Sequence, residues 1–404
     1  MPSDERFVIV GAGLAGAKAA ETLRAEGFDG EIVLLDLTGG LAYERPPLSK
    51  QFLLAKMDWP ETLVHPLGWA EEHRVVNIGC AVSSIDPAAH EVTLEGVGPL
   101  SYSRLLLTMG AVPRVLDVPG ADRRRLHYLR TIPDSVALRQ EIDQGDRRVV
   151  VIGAGWIGLE VAAAAREYGN EVTVVEPQPT PIHQAVGPEL GEVFAGLHRD
   201  HGVTLLTGEG VREIDESGVV TSGGQRLAAD VIVVGIGAAP NTRIAAEAGL
   251  AVDDGVLVDA ALRTSAPDIW AAGDVAGVDH PFYGRRVRVE HWANALDGGP
   301  AAARSMLGQE VVYDKLPYFF SDQYDLGMEF SGLAEPGSYD EVVFRGDVAG
   351  REFVALWMSG DRIVAGMNVN VWDVTDDIQA LIRAGKPVDR ARLTDPSVPF
   401  AELL

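Results

Sequence analysis

A single cysteine, Cys80, is all the thiol this sequence holds. One cysteine excludes a disulfide within the chain, a cysteine-bound iron–sulfur cluster, a zinc site built on thiolates and a redox-active cysteine pair. Cys80 itself lies in the apolar stretch VVNIGCAV and reads as a small core residue. The nine histidines form no ligand cluster. His198 and His201 are spaced to share a helix face, but no cysteine or second pair accompanies them, so no metal site is expected. Positive charge is scarce too, with 34 lysines and arginines against 59 aspartates and glutamates, a net charge of −25. That balance excludes nucleic acid and disfavours anionic membranes, both of which need a basic footprint. Charge acts over only roughly 8 Å at physiological salt, so a protein partner would feel local patches, of which Arg285, Arg286 and Arg288 form the densest and the candidate docking site. No apolar run approaches the length of a membrane span, and the opening MPSDERFVIV, with two acids, predicts neither a signal nor a transit peptide. A cytoplasmic protein is expected.

What the sequence does contain is the same glycine-rich loop twice, GAGLAG at 11–16 and GAGWIGLE at 153–160, each after a short apolar run. In the first copy FVIV (7–10) reads as a buried parallel strand and 14–26 as a helix. Gly11, Gly13 and Gly16 let the backbone turn and approach a pyrophosphate, while the helix aims its N–H groups at the phosphates. The strand EIVLLD then ends in Asp36, 20 residues after Gly16, where a carboxylate can accept hydrogen bonds from a ribose diol. The second copy repeats this plan with VVVI (149–152), Gly153, Gly155 and Gly158, a helix to about 168, and EVTVVE ending in Glu176, 18 residues after Gly158. Two cradles imply two dinucleotides. The second takes NADH rather than NADPH, because Glu176 repels a 2′-phosphate and no lysine or arginine occurs from 177 to 198.

At 404 residues, two or three domains are expected. The strands RLLLTMGAVPR (104–114) and DVIVVGIGAAPNT (230–242) both end in a glycine-alanine turn and a proline, which extends the internal duplication beyond the glycines. A strand-rich segment (255–277) and an alanine-rich helix (289–308) follow. From about 318 the pattern changes to short strands, YDEVVFRG, REFVALWM and DRIVAGMNV, and then an amphipathic helix from 376 to 384. The expected fold is α/β, with two Rossmann-like dinucleotide-binding domains and a small α+β C-terminal domain. The expected boundaries are 1–114 with 243–317 for the first, 115–242 for the second and 318–404 for the third.

These motifs resemble, over nearly the whole length, the FAD-dependent, NADH-linked ferredoxin reductases of bacterial oxygenase systems. YERPPLSK (43–50) looks like that family's segment under the isoalloxazine ring, YLRT (128–131) like its arginine contact to FAD, and WAAGDVA (270–276) like its ribityl-binding aspartate. VEHWANA (289–295) is similar to its helix start at the flavin's pyrimidine edge, and PYFFSDQYD (317–325) to the aromatic strip that opens its C-terminal domain. The resemblance implies a glutathione-reductase-like fold of two dinucleotide domains, with FAD held by Gly11, Gly13, Leu14, Ala15, Gly16, Asp36, Arg45, Lys50, Val82, Gly110, Arg130, Gly273, Asp274, His291 and Trp292, the last through its backbone at the helix start. It implies NADH held by Gly153, Gly155, Ile157, Gly158, Glu160, Glu176 and Gly237. Lys50, Glu160 and Phe320 are implied at the chemistry: Lys50 as a fixed positive charge beside the reduced ring, Glu160 in the first helical turn near the nicotinamide carboxamide with Lys50 as ion-pair partner, and Phe320 as the nicotinamide-facing wall. The family more often has tryptophan at that last position, so the wall is smaller here. The implied partner is an iron–sulfur ferredoxin of undetermined cluster type, and the implied assembly a monomer or homodimer. A quinone- or oxygen-reducing NADH flavoenzyme stays open. An NADH-sensing protein resembling apoptosis-inducing factor does too, although the segment after Pro317 leaves little room for that family's long insertion.

Overall fold

The apolar runs that follow no helical period become parallel strands, as buried strands covered on both faces should. The computed structural model describes residues 4–37, 39–122 and 126–404. These fall into two units, the first within 1–45, 60–112 and 238–317, the second within 46–59, 113–237 and 318–404.

The first unit is built on a five-stranded parallel sheet in the order Ile269–Ala271, Arg104–Leu107, Arg6–Val10, Glu31–Asp36, Val75–Gly79. Phe7, Val8, Ile9, Ile32, Leu105, Leu106 and Leu107 are all buried, which accounts for the unbroken hydrophobic runs. Strand order reverses at Arg6–Val10, so the loop leaving its carboxyl end opens at a topological switch point, the general ligand position of such sheets. Helices Leu14–Ala25 and Trp292–Met306 pack on one another. Their backbones come so close that a Cβ on Gly299 would sit 2.2 Å from the carbonyl oxygen of Ala15. The expected helix 289–308 thus starts at Trp292, with His291 as its N-cap.

The second unit repeats the plan with a four-stranded parallel sheet, Thr204–Thr207, Glu171–Glu176, Arg148–Ile152, Val231–Val234, again reversing order beside the cradle strand. Joined to it is a five-stranded antiparallel sheet, Tyr318–Gln323, Leu326–Gly332, Arg362–Val369, Glu352–Ser359, Glu341–Asp347, carrying helix Thr375–Ala384. Tyr318–Gln323 and Leu326–Gly332 are strands beyond the three marked in the sequence. Trp357, with no exposed surface, fills the core between helix and sheet residues and donates its indole N–H to the Val186 carbonyl at 3.1 Å. Helix His183–Asp200 is broken at Gly187, whose φ of 82° only glycine adopts cheaply, ahead of Pro188.

The segment 46–59 belongs to this second unit by its hydrogen bonds. Ser135 donates to the Leu48 carbonyl (2.7 Å), Arg139 to that of Phe52 (3.0 Å) and Tyr168 to that of Leu53 (3.0 Å). Leu53 is fully buried in the second unit's core. Among the described residues no helix is long and apolar enough to cross a membrane.

Candidate functional site

Both cradles solve the same steric problem with the same division of labour among their glycines. In the first, Gly11 has φ of 111°, and a Cβ there would stand 2.3 Å from the Thr108 carbonyl oxygen; one on Gly16 would stand 2.1 Å from the oxygen of Gly11. In the second, a Cβ on Gly153 would meet the Gly235 oxygen at 2.4 Å, and one on Gly158 the Gly153 oxygen at 2.2 Å. The chain's own packing therefore requires the outer glycines. It does not require the middle ones. A Cβ on Gly13 would find nothing nearer than the Arg45 guanidinium at 3.5 Å, and one on Gly155 nothing nearer than 3.8 Å. Both middle glycines cap their helices in extended conformation, with no side-chain cap hydrogen bond among the described residues. A backbone without a Cβ in its way at a helix N-terminus fits a pyrophosphate in each cradle.

In the first unit the remaining expected residues gather along the carboxyl ends of the strands. Leu14 and Ala15 are buried in the cradle helix, and Asp36 closes strand Glu31–Asp36. Val82 opens strand Val82–Asp86, and Gly110 (φ 65°) accepts the Asn241 N–H at 3.0 Å. Arg45 stands 5.8 Å over the Tyr43 ring. Gly273, at φ of 74°, would bring a Cβ within 3.1 Å of the Ala15 Cβ, and it opens the 3-10 turn Gly273–Val275 that carries Asp274. Burial pushes the His291 imidazole down to about 4, against the opposing pull of Asp274. The Trp292 indole, expected to matter only through its backbone, donates to the Glu44 carboxylate, whose pKa burial raises against that bond.

The arginine patch is reshaped by the fold. The Arg288 guanidinium is bound to Asp254 (3.0 Å), Glu290 (2.7 Å) and the Asp274 carbonyl (3.2 Å), so it braces the Asp274 turn. Arg285 and Arg286 stay exposed, with one Arg286 nitrogen donating to the carbonyls of Val258 and Gly277.

In the second unit the structure brings Lys50, Glu160 and Phe320 together. Glu160 is the fifth residue of helix Trp156–Glu167, not in its first turn as expected. Its hydrogen-bond partners are therefore side chains and not the free N–H groups of the helix end. With 4 % of its surface exposed, it accepts from the Lys50 ammonium at 3.2 Å and the Ser321 hydroxyl at 2.7 Å on Oε1, and from the Ser49 hydroxyl on Oε2. Lys50, 8 % exposed, stands 5.2 Å above the Phe320 ring, a cation–π distance. A buried ion pair needs further hydrogen bonds to offset its desolvation, and the two serines supply two of them to Glu160. Neither serine carried a signal in the sequence.

The same unit holds the rest of the second set. The Glu176 carboxylate accepts the Ala154 N–H of the cradle at 2.7 Å and the Gln178 N–H at 2.9 Å, which holds it against the loop. Ile157 is exposed at the helix start, and Gly237 (φ 95°) accepts the Arg114 N–H at 2.9 Å. Arg130, expected with the FAD set, also lies in this second unit, ahead of helix Ile132–Ile142, whose Thr131 and Asp134 form a reciprocal capping box; Asp134 also accepts the Arg130 N–H at 3.2 Å.

Known proteins resemble this chain in sequence and fold. Residues 5–299 match the family model described as pyridine nucleotide-disulphide oxidoreductase, and 318–404 the model described as reductase C-terminal. The ferredoxin–NAD(+) reductase component of the anthranilate 1,2-dioxygenase system of Burkholderia cepacia is 38 % identical over all of both chains. Putidaredoxin reductase of Pseudomonas putida is 34 % identical over 100 % of this chain and 98 % of its own. Among solved structures, the covalent putidaredoxin reductase–putidaredoxin complex superposes with a TM-score of 0.94 at 33 % identity, covering 99 % of this chain and 98 % of that one. The ferredoxin reductase for the CYP199A2 system of Rhodopseudomonas palustris gives 0.94 at 36 % identity, covering 98 % and 99 %. This chain belongs to the pyridine nucleotide-disulphide oxidoreductase family of FAD- and NAD(H)-dependent enzymes, in the form that carries a reductase C-terminal domain.

Proposed function

We propose that this chain is an FAD-dependent NADH:ferredoxin reductase that supplies an oxygenase, either a cytochrome monooxygenase or an aromatic-ring dioxygenase. The observation that carries this is the buried Lys50–Glu160 pair beside Phe320 in an enzyme with one cysteine, Cys80, half-buried on the other unit. With no thiol pair available, electrons pass from the flavin without a disulfide relay. The balanced reaction is NADH with two oxidised ferredoxins giving NAD+, two reduced ferredoxins and a proton. FAD supplies the change from paired to single electrons; the polypeptide supplies orientation and charge.

In this reading Gly11, Gly13 and Gly16 cradle the FAD pyrophosphate, Asp36 accepts from its adenosine ribose, Asp274 from its ribityl chain, and Arg45 and Arg130 are cationic partners. Gly153, Gly155 and Gly158 cradle NADH, and Glu176 accepts from its ribose diol. Lys50 places a positive charge where reduced flavin gathers negative charge. Glu160 accepts from the nicotinamide carboxamide, and Phe320 offers a flat wall to the nicotinamide. In sequence terms the FAD-binding domain comprises 1–114 and 243–317, the NAD-binding domain 115–242 and the C-terminal domain 318–404, with the segment 46–59 an exception that packs within the second unit. The partner is an iron–sulfur ferredoxin, and a cytoplasmic location belongs to the same proposal because NADH is the reductant drawn on. Anaerobic flavin reduction by NADH, compared with NADPH and followed by mixing with ferredoxins, tests it. Oxygen or a quinone outpacing every ferredoxin as acceptor would refute it.

A further inference from the structure

Glu160 is the terminus of a chain of buried hydrogen bonds that begins on another helix. His198, on His183–Asp200, meets Gln323 with 2.8 Å between its Nε2 and Oε1. Gln323 donates its amide N–H to the Ser321 hydroxyl at 3.1 Å, and Ser321 donates to Glu160 Oε1 at 2.7 Å. Ser321 and Gln323, two apart on strand Tyr318–Gln323, point to the same face. All four side chains are buried.

The bonds can run in only one direction. An ionised carboxylate only accepts, so the Ser321 proton points at Glu160; the Ser321 oxygen then takes the Gln323 N–H; Gln323 Oε1 must face His198; and His198 must carry its proton on Nε2. His198 Nδ1 is left without a hydrogen-bond partner among the described residues. Burial pushes this imidazole down to about 4, which keeps it neutral, and the Gln323 Oε1 acceptor fixes the tautomer. The Tyr324 ring closes the far end, edge-on to His198 at 5.4 Å and stacked on His201 at 3.7 Å. At the near end Lys50 and Ser321 occupy Oε1 and Ser49 occupies Oε2. A carboxylate offers about four lone-pair sites, so one position on Oε2 remains open to an incoming donor.

We propose that His198, Gln323 and Ser321 are positioning residues for NADH binding, a one-way relay that holds Glu160 in the rotamer that presents its open Oε2 position to the nicotinamide carboxamide N–H. This rests on the nicotinamide-facing role of Glu160 proposed above. The test uses the FAD-loaded protein and reads NAD+ affinity by calorimetry, together with the 15N shifts of His198. Glu160→Gln should weaken NAD+ about tenfold, the scale of one charge-assisted hydrogen bond. His198→Leu and Ser321→Ala should each weaken it by roughly threefold or more, and His198→Gln, which returns an N–H donor near the Nε2 position, should restore it to within about twofold. In a Glu160→Gln background His198→Leu should have no further effect. Wild-type affinity in both His198→Leu and Ser321→Ala, or a His198→Leu penalty undiminished in the Glu160→Gln background, overturns the relay. An affinity unchanged by Glu160→Gln instead overturns the nicotinamide-facing role. The nitrogen shifts judge the relay separately: a neutral Nε2–H tautomer is expected, and an imidazolium or Nδ1–H tautomer at neutral pH contradicts it.

Discussion

At the residue scale, the glycines divide into those the fold requires and those a ligand would require. Gly13→Ala and Gly155→Ala place a methyl group at ordinary contact distance, 3.5 and 3.8 Å from its nearest neighbour, on extended backbone that any residue adopts, so both variants should fold normally. Gly13→Ala should then lose FAD on dialysis, and Gly155→Ala should keep FAD while its KM for NADH rises at least tenfold, the effect of a methyl on a close phosphate contact. Gly16→Ala and Gly158→Ala, in contrast, should yield little folded protein, because each new methyl would stand within 2.2 Å of a carbonyl oxygen. Expression yield, flavin content and steady-state kinetics separate the two classes. The ion pair permits a second test. Lys50→Met strips a buried carboxylate of its cationic partner, which costs about 3–5 kcal/mol in such settings. Urea unfolding should show that loss, and Lys50→Met with Glu160→Gln should recover most of it.

At the element scale, cofactor choice follows from the end of one strand and the helix after it. Glu176 closes Glu171–Glu176 and is held by two backbone N–H groups, while the following residues through 198 offer no cation to a 2′-phosphate. Glu176→Ala should reduce the preference for NADH over NADPH by about tenfold, equivalent to roughly 1.4 kcal/mol, measured as the ratio of the two kcat/KM values; an unchanged ratio would contradict the assignment. Two buried histidines set a pH dependence. His198 and His291 both sit near 4 in the folded protein against 6.5 in an ordinary environment, in each case because burial penalises the charged ring. Their stabilisation is complete above about pH 6.5, where both states are neutral, and is lost as pH falls from 6.5 toward 4, where the unfolded chain binds more protons. Each contributes a loss of roughly 3 kcal/mol across that window. Denaturant midpoints measured from pH 7 to 4 should fall accordingly, and His198→Gln should flatten the slope.

At the scale of the whole molecule, the local patterns were readable and the long-range polar contacts were not. Each cradle could be seen in the sequence because strand, glycines, helix and terminal acid lie within about thirty residues and obey local steric rules. The buried parallel strands were readable as unbroken apolar runs for the same reason. Strands Tyr318–Gln323 and Leu326–Gly332 were harder, since the aromatic run YFF followed by Ser321, Asp322 and Gln323 shows no clean alternation of apolar and polar residues. The relay behind Glu160 had no signal at all. Ser49, Ser321 and His198 reach their partners across 111, 161 and 125 positions, and each alone is an ordinary polar residue. In the sequence His198 showed only the spacing to share a helix face with His201, and only the fold gives it Gln323. Arg288 illustrates the reverse: a residue that looked like part of a docking patch is engaged by Asp254 and Glu290.

The central claim is that electrons enter from NADH and leave to an iron–sulfur ferredoxin with no thiol between them. Anaerobic stopped-flow mixing of the FAD-loaded protein with NADH, then with an oxidised ferredoxin, measures both halves in one experiment. The expected result is rapid bleaching of the flavin by NADH and not by NADPH, followed by reoxidation by ferredoxin faster than by oxygen or quinone, unaltered when Cys80 is replaced by serine. Slow bleaching with a persistent charge-transfer band, or an acceptor order led by oxygen or quinone, would contradict it.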